Sequence, residues 1–304
     1  MIAARQVTGP LFTLAEGPVW DPTRRRVRWV DIPEGLVLVG RLQDGQLDIE
    51  ERHAFQSFVG ATAVAGDGSV LVAETRTLTR VASDGTRTST GPIGAVGPRD
   101  RFNDGLCDAR GRFVVGTLSL TGDHHSQRLL QVGAEATVLD DDLGLSNGLA
   151  FSPDGATLYS VDSMPGTVWC RDYDHDTGRT GTRSVLIDLH DCTPDGLTVD
   201  IDGQLWLAVW GRGEVRCYSP EGALLDTIRV PAPHTSSVAF VGTTSTSWSS
   251  RPRATSSRTS SSGSSRSPGA CSSPSPASGA SPPTRGPGTS RTDSPPLDQE
   301  KPCS

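Results

Sequence analysis

The sequence has a single lysine, no CxxC pair and no apolar run long enough to cross a membrane. Its first residues lack the charged start and apolar core of a secretory signal peptide. Its six cysteines predict mostly buried, reduced thiols rather than a disulfide framework. The formal net charge of -7 argues against a nucleic-acid partner. Together these absences predict a cytoplasmic protein that binds neither nucleic acid nor membrane.

Helical periodicity is also nearly absent, and a repeat takes its place. Each repeat has a small or polar residue, often next to glycine, then a few apolar residues, a turn and an alternating strand. The repeats start between 41 and 48 residues apart, at Glu16, Ala61, Asn103, Asn147, Asp195 and Ser236. That period is typical of one four-stranded blade per repeat. Six repeats predict an all-β, six-bladed β-propeller.

The sixth repeat breaks off after Gly242, where a stretch rich in Ser, Thr, Arg and Pro begins. Two explanations stay open. One is a natural disordered tail. The other is a frameshift, because serine codons of the TCN type, read one nucleotide earlier, all encode apolar residues. We expect residues 1–242 to form the propeller, with an incomplete last blade, and residues 243–304 to be a disordered low-complexity tail.

Four repeats place an oxygen-bearing side chain directly before a glycine, at Glu16, Asp104, Asn147 and Asp195. Equivalent positions at the start of a propeller's innermost strands converge on its central channel. Carboxylates that meet there repel each other and are costly to desolvate, and a divalent cation removes both problems. Carboxylate and amide oxygens suit Ca²⁺, Mg²⁺ or Mn²⁺, and Zn²⁺ stays open. The alternative is that these are ordinary turn residues, but their equivalent positions favour a metal site.

Four segments, "LAEGPVWD", "RFNDGLCDARGRFVVGT", "GLSNGLAFSPDGATLYSVDS" and "PDGLTVDIDGQLWLAVWG", resemble the gluconolactonase/regucalcin (senescence-marker-protein) family in order and spacing. The resemblance covers about residues 10–242, and the tail departs from it. It implies a six-bladed propeller with one catalytic divalent metal, calcium first among the candidates. By matching motif, it implies Glu16, Asn147 and Asp195 as metal ligands, and Arg101 and Asn103 as substrate-binding residues.

The resemblance implies hydrolysis of a small sugar lactone to an aldonic acid. A metal with open positions polarises the lactone carbonyl and acidifies a bound water. Asp195 is the candidate general base, while Arg101 and Asn103 orient substrate oxygens by hydrogen bonding. Two alternatives stay open: a metal-dependent phosphotriesterase or other lactonase, and a calcium-binding propeller without turnover.

Two further acidic stretches receive no functional role. The loop "DYDHDTG" from Asp172 resembles a calcium loop, but its glycine comes one place late and no glutamate follows at the twelfth position. It is therefore predicted to be a hairpin turn. The run at 140–142 is predicted to be a solvated turn.

Overall fold

Short strands joined by tight turns form the regular structure of the chain. The computed structural model describes residues 4–9, 12–122 and 124–242. In that part of the chain no helix is long and apolar enough to cross a membrane. The strands, in chain order, are β1 (Ala15–Asp21), β2 (Arg26–Asp31), β3 (Leu36–Gln43), β4 (Gln46–Ala54), β5 (Val59–Val64), β6 (Val70–Glu74), β7 (Leu78–Val81), β8 (Arg87–Ser89), β9 (Asp100–Cys107), β10 (Phe113–Ser119), β11 (Gln127–Val132), β12 (Ala136–Leu143), β13 (Ser146–Phe151), β14 (Thr157–Asp162), β15 (Thr167–Asp172), β16 (Ser184–Asp188), β17 (Thr193–Val199), β18 (Leu205–Trp210), β19 (Glu214–Tyr218) and β20 (Leu224–Arg229).

These strands form five antiparallel sheets of four strands, and each sheet follows chain order from its first strand to its fourth. We number the sheets blades 1 to 5. The first strands, β1, β5, β9, β13 and β17, contact one another from blade to blade, whereas the fourth strands, such as β4 and β8, are mostly exposed. The first strands therefore line the axis, and the described residues form an all-β propeller.

The core lies in the spaces between facing blades rather than in one central mass. Between blades 2 and 3 it contains Phe102 and Phe113, and between blades 4 and 5 it contains Leu205 and Leu207. Each of these side chains is at most 1% exposed. Burying an apolar side chain of this size contributes about 1.5–3 kcal/mol. Apolar burial between blades therefore holds the first strands in a fixed ring, and this ring positions the site described below.

The prediction of six blades is confirmed for five of them. Ser236 and Ser237, where the sixth repeat starts, lie between β17 and β1 without forming a regular strand. Ser236 accepts a hydrogen bond from the Gly196 N–H (2.7 Å) and donates one to the Ala15 carbonyl (3.0 Å). The Gly17 N–H donates to the Ser237 hydroxyl over 3.3 Å. This segment thus occupies the place expected for the innermost strand of a sixth blade.

The rest of the sixth blade lies outside the described residues. So do the predicted tail at 243–304 and its disorder. The domain boundary at 242, the incomplete last blade and the frameshift hypothesis therefore stay predictions.

The turn predicted for 140–142 is wrong, because all three residues lie within β12; Asp141 and Asp142 are exposed, as predicted, but Asp140 is not. This residue lies inside β12, and its carboxylate is only 8% exposed. It forms ion pairs with Arg171 and with Arg183, the latter over 2.9 Å. Both arginines belong to blade 4, so the carboxylate joins the outer part of blade 3 to its neighbour.

Candidate functional site

The first strands are irregular at the positions that the repeat aligns. A β-bulge inserts an extra residue into one strand and redirects the side chains at that point. The pairing of β1, β13 and β17 with their neighbours shifts between Glu16 and Val19, between Asn147 and Leu149, and between Pro194 and Leu197. Glu16, Asn147 and Asp195 therefore lie at bulges on strands that line the axis.

The glycines after Asn147 and Asp195 let neighbouring strands approach closely. A Cβ atom on Gly148 would lie 2.3 Å from the backbone oxygen of Asp195 and 2.6 Å from the amide nitrogen of Leu197. A Cβ on Gly196 would lie 2.7 Å from the backbone oxygen of Ser236. These distances exclude any side chain, so glycine is required for the first strands to pack side by side.

Glu16 is a buried carboxylate, 9% exposed, in an acidic environment. Its pKa is raised from 4.5 to about 8, first by burial and second by the nearby carboxylate of Asp104, while the Arg101 guanidinium opposes the shift. Burial likewise raises the pKa of Asp104 from 3.8 to about 6. Without a cation, this part of the channel favours protonated carboxyl groups.

Asp195 is the second buried carboxylate, 5% exposed. Burial raises its pKa well above the ordinary value, and Glu16 and Asp104 raise it further, whereas hydrogen bonds from Asn147 and from the Gly196 N–H lower it. Its Oδ1 atom is buried and accepts no hydrogen bond. We call the axial space that Glu16, Asn147 and Asp195 share the hub.

A chain of hydrogen bonds reaches the hub from blade 3. Arg101 donates from Nη1 to the Phe102 carbonyl (2.9 Å) and to Oδ1 of Asn103 (2.8 Å). Asn103 in turn donates from Nδ2 to the Ser146 carbonyl (3.0 Å) and to Oδ1 of Asn147 (3.2 Å). The structure therefore brings both predicted substrate-binding residues together with a predicted ligand. The NH₂ group of Asn103 holds the side chain of Asn147 by a hydrogen bond.

The series of hydrogen bonds continues through Ser163, a residue that the sequence did not single out. Asn147 donates from Nδ2 to the hydroxyl of Ser163 (3.2 Å), and this hydroxyl donates to the Pro194 carbonyl (2.6 Å). Pro194 directly precedes Asp195. The hydrogen-bonded chain therefore runs from blade 3 to the strand that carries the second carboxylate.

The chemistry of the hub suits a divalent cation. It combines two desolvated carboxylates, one of which has an unsatisfied oxygen, with a neutral amide oxygen, and these are hard donors. Among residues 4–9, 12–122 and 124–242, no three His, Cys, Asp or Glu side chains form a group that could hold a metal ion. A cation at the hub therefore requires the amide oxygen of Asn147 beside the carboxylates of Glu16 and Asp195.

Residues that follow the hub residues along the first strands line a cavity of about 380 Å³. Asp104 and Gly105 line it, together with apolar side chains such as Leu106 and Phe151. The alignment of the internal repeats placed Asp104 at the same position as the predicted ligands but assigned it no role. The structure places its carboxylate where it raises the pKa of both Glu16 and Asp195.

The loop from Asp172 is a hairpin turn between β15 and β16, as predicted. Asp174 Oδ1 accepts hydrogen bonds from the backbone N–H groups of Asp176 (2.9 Å) and Thr177 (3.2 Å). The Thr177 hydroxyl donates to Oδ2 of Asp174 over 2.7 Å. The Asp174 carboxylate therefore stabilises its own exposed turn.

Comparison with known proteins agrees with the geometry. A pentonolactonase of Haloferax volcanii is 32% identical over 233 residues, which cover 75% of this chain and 78% of that protein. A 6-deoxy-6-sulfogluconolactonase of Pseudomonas putida is 34% identical over 242 residues, covering 75% and 79%. The crystal structure of a calcium-binding protein, regucalcin, from Agrobacterium tumefaciens superposes with a TM-score of 0.71 at 29% identity, covering 76% and 79%. The family profile described as SMP-30/Gluconolactonase/LRE-like region matches residues 14–247, and the chain belongs to this family.

Proposed function

We propose that this protein hydrolyses sugar lactones to aldonic acids, using one divalent cation held at the hub by Glu16, Asn147 and Asp195. The observation that carries the proposal is the buried, unpaired Oδ1 of Asp195 beside a second buried carboxylate. The lactonase names of two relatives support the substrate class. Calcium is the first candidate cation, because a solved relative is described as calcium-binding.

The cation supplies Lewis-acid polarisation of the lactone carbonyl when it is bound. Asp195 has two carboxylate oxygens, so one can bind the cation while the other accepts a proton. We assign it as the general base, which takes a proton from the water that attacks the carbonyl carbon. The bond between this carbon and the ring oxygen then breaks, and the proton ends on the ring oxygen as the new hydroxyl group.

Arg101 is the proposed donor to substrate oxygens. A guanidinium has five N–H donors, and the two hydrogen bonds described for Arg101 both start from Nη1. Asn103 contributes to substrate binding by holding two neighbours in place. Its amide oxygen accepts a hydrogen bond from Arg101, and its NH₂ group donates one to Asn147. Burial of Arg101, 6% exposed, strengthens its hydrogen bonds to a bound lactone because water is excluded.

A pH-stat assay with glucono-, xylono- and arabinono-lactones tests the proposal. We expect turnover that EDTA abolishes and that Ca²⁺, Mn²⁺ or Zn²⁺ restores. Asp195→Asn should lower kcat/KM by about 100- to 10,000-fold, the usual range for loss of a general base. Asp174→Asn, which changes an exposed turn carboxylate outside the hub, is the matched control and should keep wild-type activity.

Two other outcomes would replace the proposal. Cation binding without turnover of any lactone would favour a calcium-binding propeller that is not an enzyme. Hydrolysis of phosphotriesters with no lactone turnover would favour the phosphotriesterase alternative.

A further inference from the structure

Ser163 links the predicted amide ligand to the strand of the predicted carboxylate ligand. It follows β14 directly, and its side chain is buried, with the residue 3% exposed. Its hydroxyl accepts a hydrogen bond from Nδ2 of Asn147 and donates one to the carbonyl of Pro194. Neither the repeat pattern nor the family resemblance assigned this residue a role.

The polarity of these hydrogen bonds fixes the orientation of the Asn147 amide. A carbonyl oxygen only accepts, so the single hydroxyl hydrogen of Ser163 must point to Pro194. The Ser163 oxygen can then only accept, and Asn147 must turn its NH₂ group towards it. The amide oxygen of Asn147 is left on the opposite side, where Asn103 donates to it.

The Arg101 end of the hydrogen-bond series favours the same orientation of the Asn147 amide. The Arg101 guanidinium only donates, so Asn103 must turn its oxygen towards Arg101. The NH₂ group of Asn103 then faces the Ser146 carbonyl and the oxygen of Asn147. An obligatory donor at one end and an obligatory acceptor at the other therefore impose one arrangement on both amides.

Among the three blades that carry the proposed ligands, only blade 4 needs such a residue. Strand pairing makes Ile32 of blade 1 and Trp210 of blade 5 equivalent to Ser163 of blade 4. Neither has a hydroxyl group, and both accompany carboxylates, whose two oxygens are equivalent. An amide has one oxygen and one nitrogen, so it alone must be oriented before it can bind a cation.

We propose that Ser163 is a positioning residue for the cation site, which holds the Asn147 amide so that its oxygen is available as a ligand. This inference rests on the proposed function, because the orientation matters only if Asn147 binds the cation. Without the hydroxyl group, the NH₂ group of Asn147 loses an acceptor, and the hydrogen bond from Asn103 is left to hold the amide oxygen in place. Loss of a residue that orients a metal ligand costs about 10- to 100-fold in metal affinity.

Calorimetric titration of the full, metal-stripped chain with Mn²⁺ and with Ca²⁺ tests the inference. We expect Ser163→Ala to weaken binding by about 10- to 100-fold. Ser163→Cys fills the same space but is a weak donor and acceptor, and we expect the same loss, which separates hydrogen bonding from packing. Ser160→Ala is the control, because Ser160 is buried on β14 but lies outside the hydrogen-bonded chain. It should keep wild-type affinity.

The second arm repeats Ser163→Ala in an Asn147→Asp background. A carboxylate at 147 has no N–H group to orient, so the substitution at Ser163 should there leave affinity nearly unchanged. Equal losses in both backgrounds, or wild-type affinity of both Ser163 variants, would overturn the inference. If the unmodified chain bound neither cation, the proposed function itself would fail, and the inference with it.

Discussion

Replacing Gly148 by alanine tests the close packing that forms the hub. The new methyl group would lie 2.3 Å from the backbone oxygen of Asp195 and 2.6 Å from the amide nitrogen of Leu197. Both atoms belong to the main chain of β17, so they cannot move out of the way by a side-chain rotation. The alanine must therefore push β13 and β17 apart at the position of two proposed ligands.

The expected losses of stability and activity follow from these distances. Relief of the clash requires a shift of about 1 Å towards ordinary van der Waals separation. Overpacking of this kind costs about 1–3 kcal/mol, which lowers the Tm of a domain of this size by about 2–12 °C. Because a misplacement of about 1 Å can cost about 100-fold in rate, kcat/KM should fall by about two orders of magnitude.

The assay compares Gly148→Ala with Gly133→Ala. A Cβ on Gly133, in the turn between β11 and β12, would meet nothing within 4 Å. The free energy of unfolding of Gly133→Ala should therefore lie within about 0.5 kcal/mol of the wild-type value. Thermal unfolding, Mn²⁺ titration and lactone turnover are measured on both variants. Wild-type Tm and cation affinity in Gly148→Ala would refute the idea that close strand packing positions the ligands.

Further predictions follow from the charges and contacts of the hub. Because the pKa of Glu16 is raised from 4.5 to about 8, its contribution to stability is complete below 4.5 and is lost as pH rises through 8. The Tm in EDTA should therefore fall from pH 5 to pH 9, and saturating Ca²⁺ should reduce this fall; a Tm in EDTA that rises over this range would contradict the account. Glu16→Gln should raise the Tm of the metal-free protein at pH 8 and abolish cation binding. A variant with a lower Tm and no cation binding would show that Glu16 is structural. Ser236→Ala removes the hydrogen bond to the Ala15 carbonyl and should cost about 1 kcal/mol in urea unfolding; an unchanged midpoint would mean that Ser236 does not tie the last segment to β1.

The repeat made the propeller predictable from sequence. Its period and its turns predicted the blades, and the residues before Gly17, Gly148 and Gly196 predicted which side chains meet at the axis. The pattern is readable because each blade solves the same packing problem with the same local signals. The buried environments of Glu16 and Asp195 follow from that geometry.

Contacts between distant residues were not predictable in this way. The local sequence at 140–142 indicates a turn, but Asp140 pairs with two arginines of the next blade. Ser163 depends on Asn147 and Pro194, which are 16 and 31 residues away. A signal for Ser163 was present in the alignment of repeats: of the three blades that carry the proposed ligands, only the amide blade has a hydroxyl group at this position.

The most direct test of the account is the number of cations that the full chain binds and the residues on which binding depends. Calorimetric titration of the metal-stripped protein with Ca²⁺, Mn²⁺ and Zn²⁺ should show one ion per chain. Glu16→Gln, Asn147→Ala and Asp195→Asn should each abolish this binding, and Asp174→Asn should not. Binding that survives all three hub substitutions, or that depends on Asp174 instead, would contradict the claim that side chains from three blades hold a single cation at the axis.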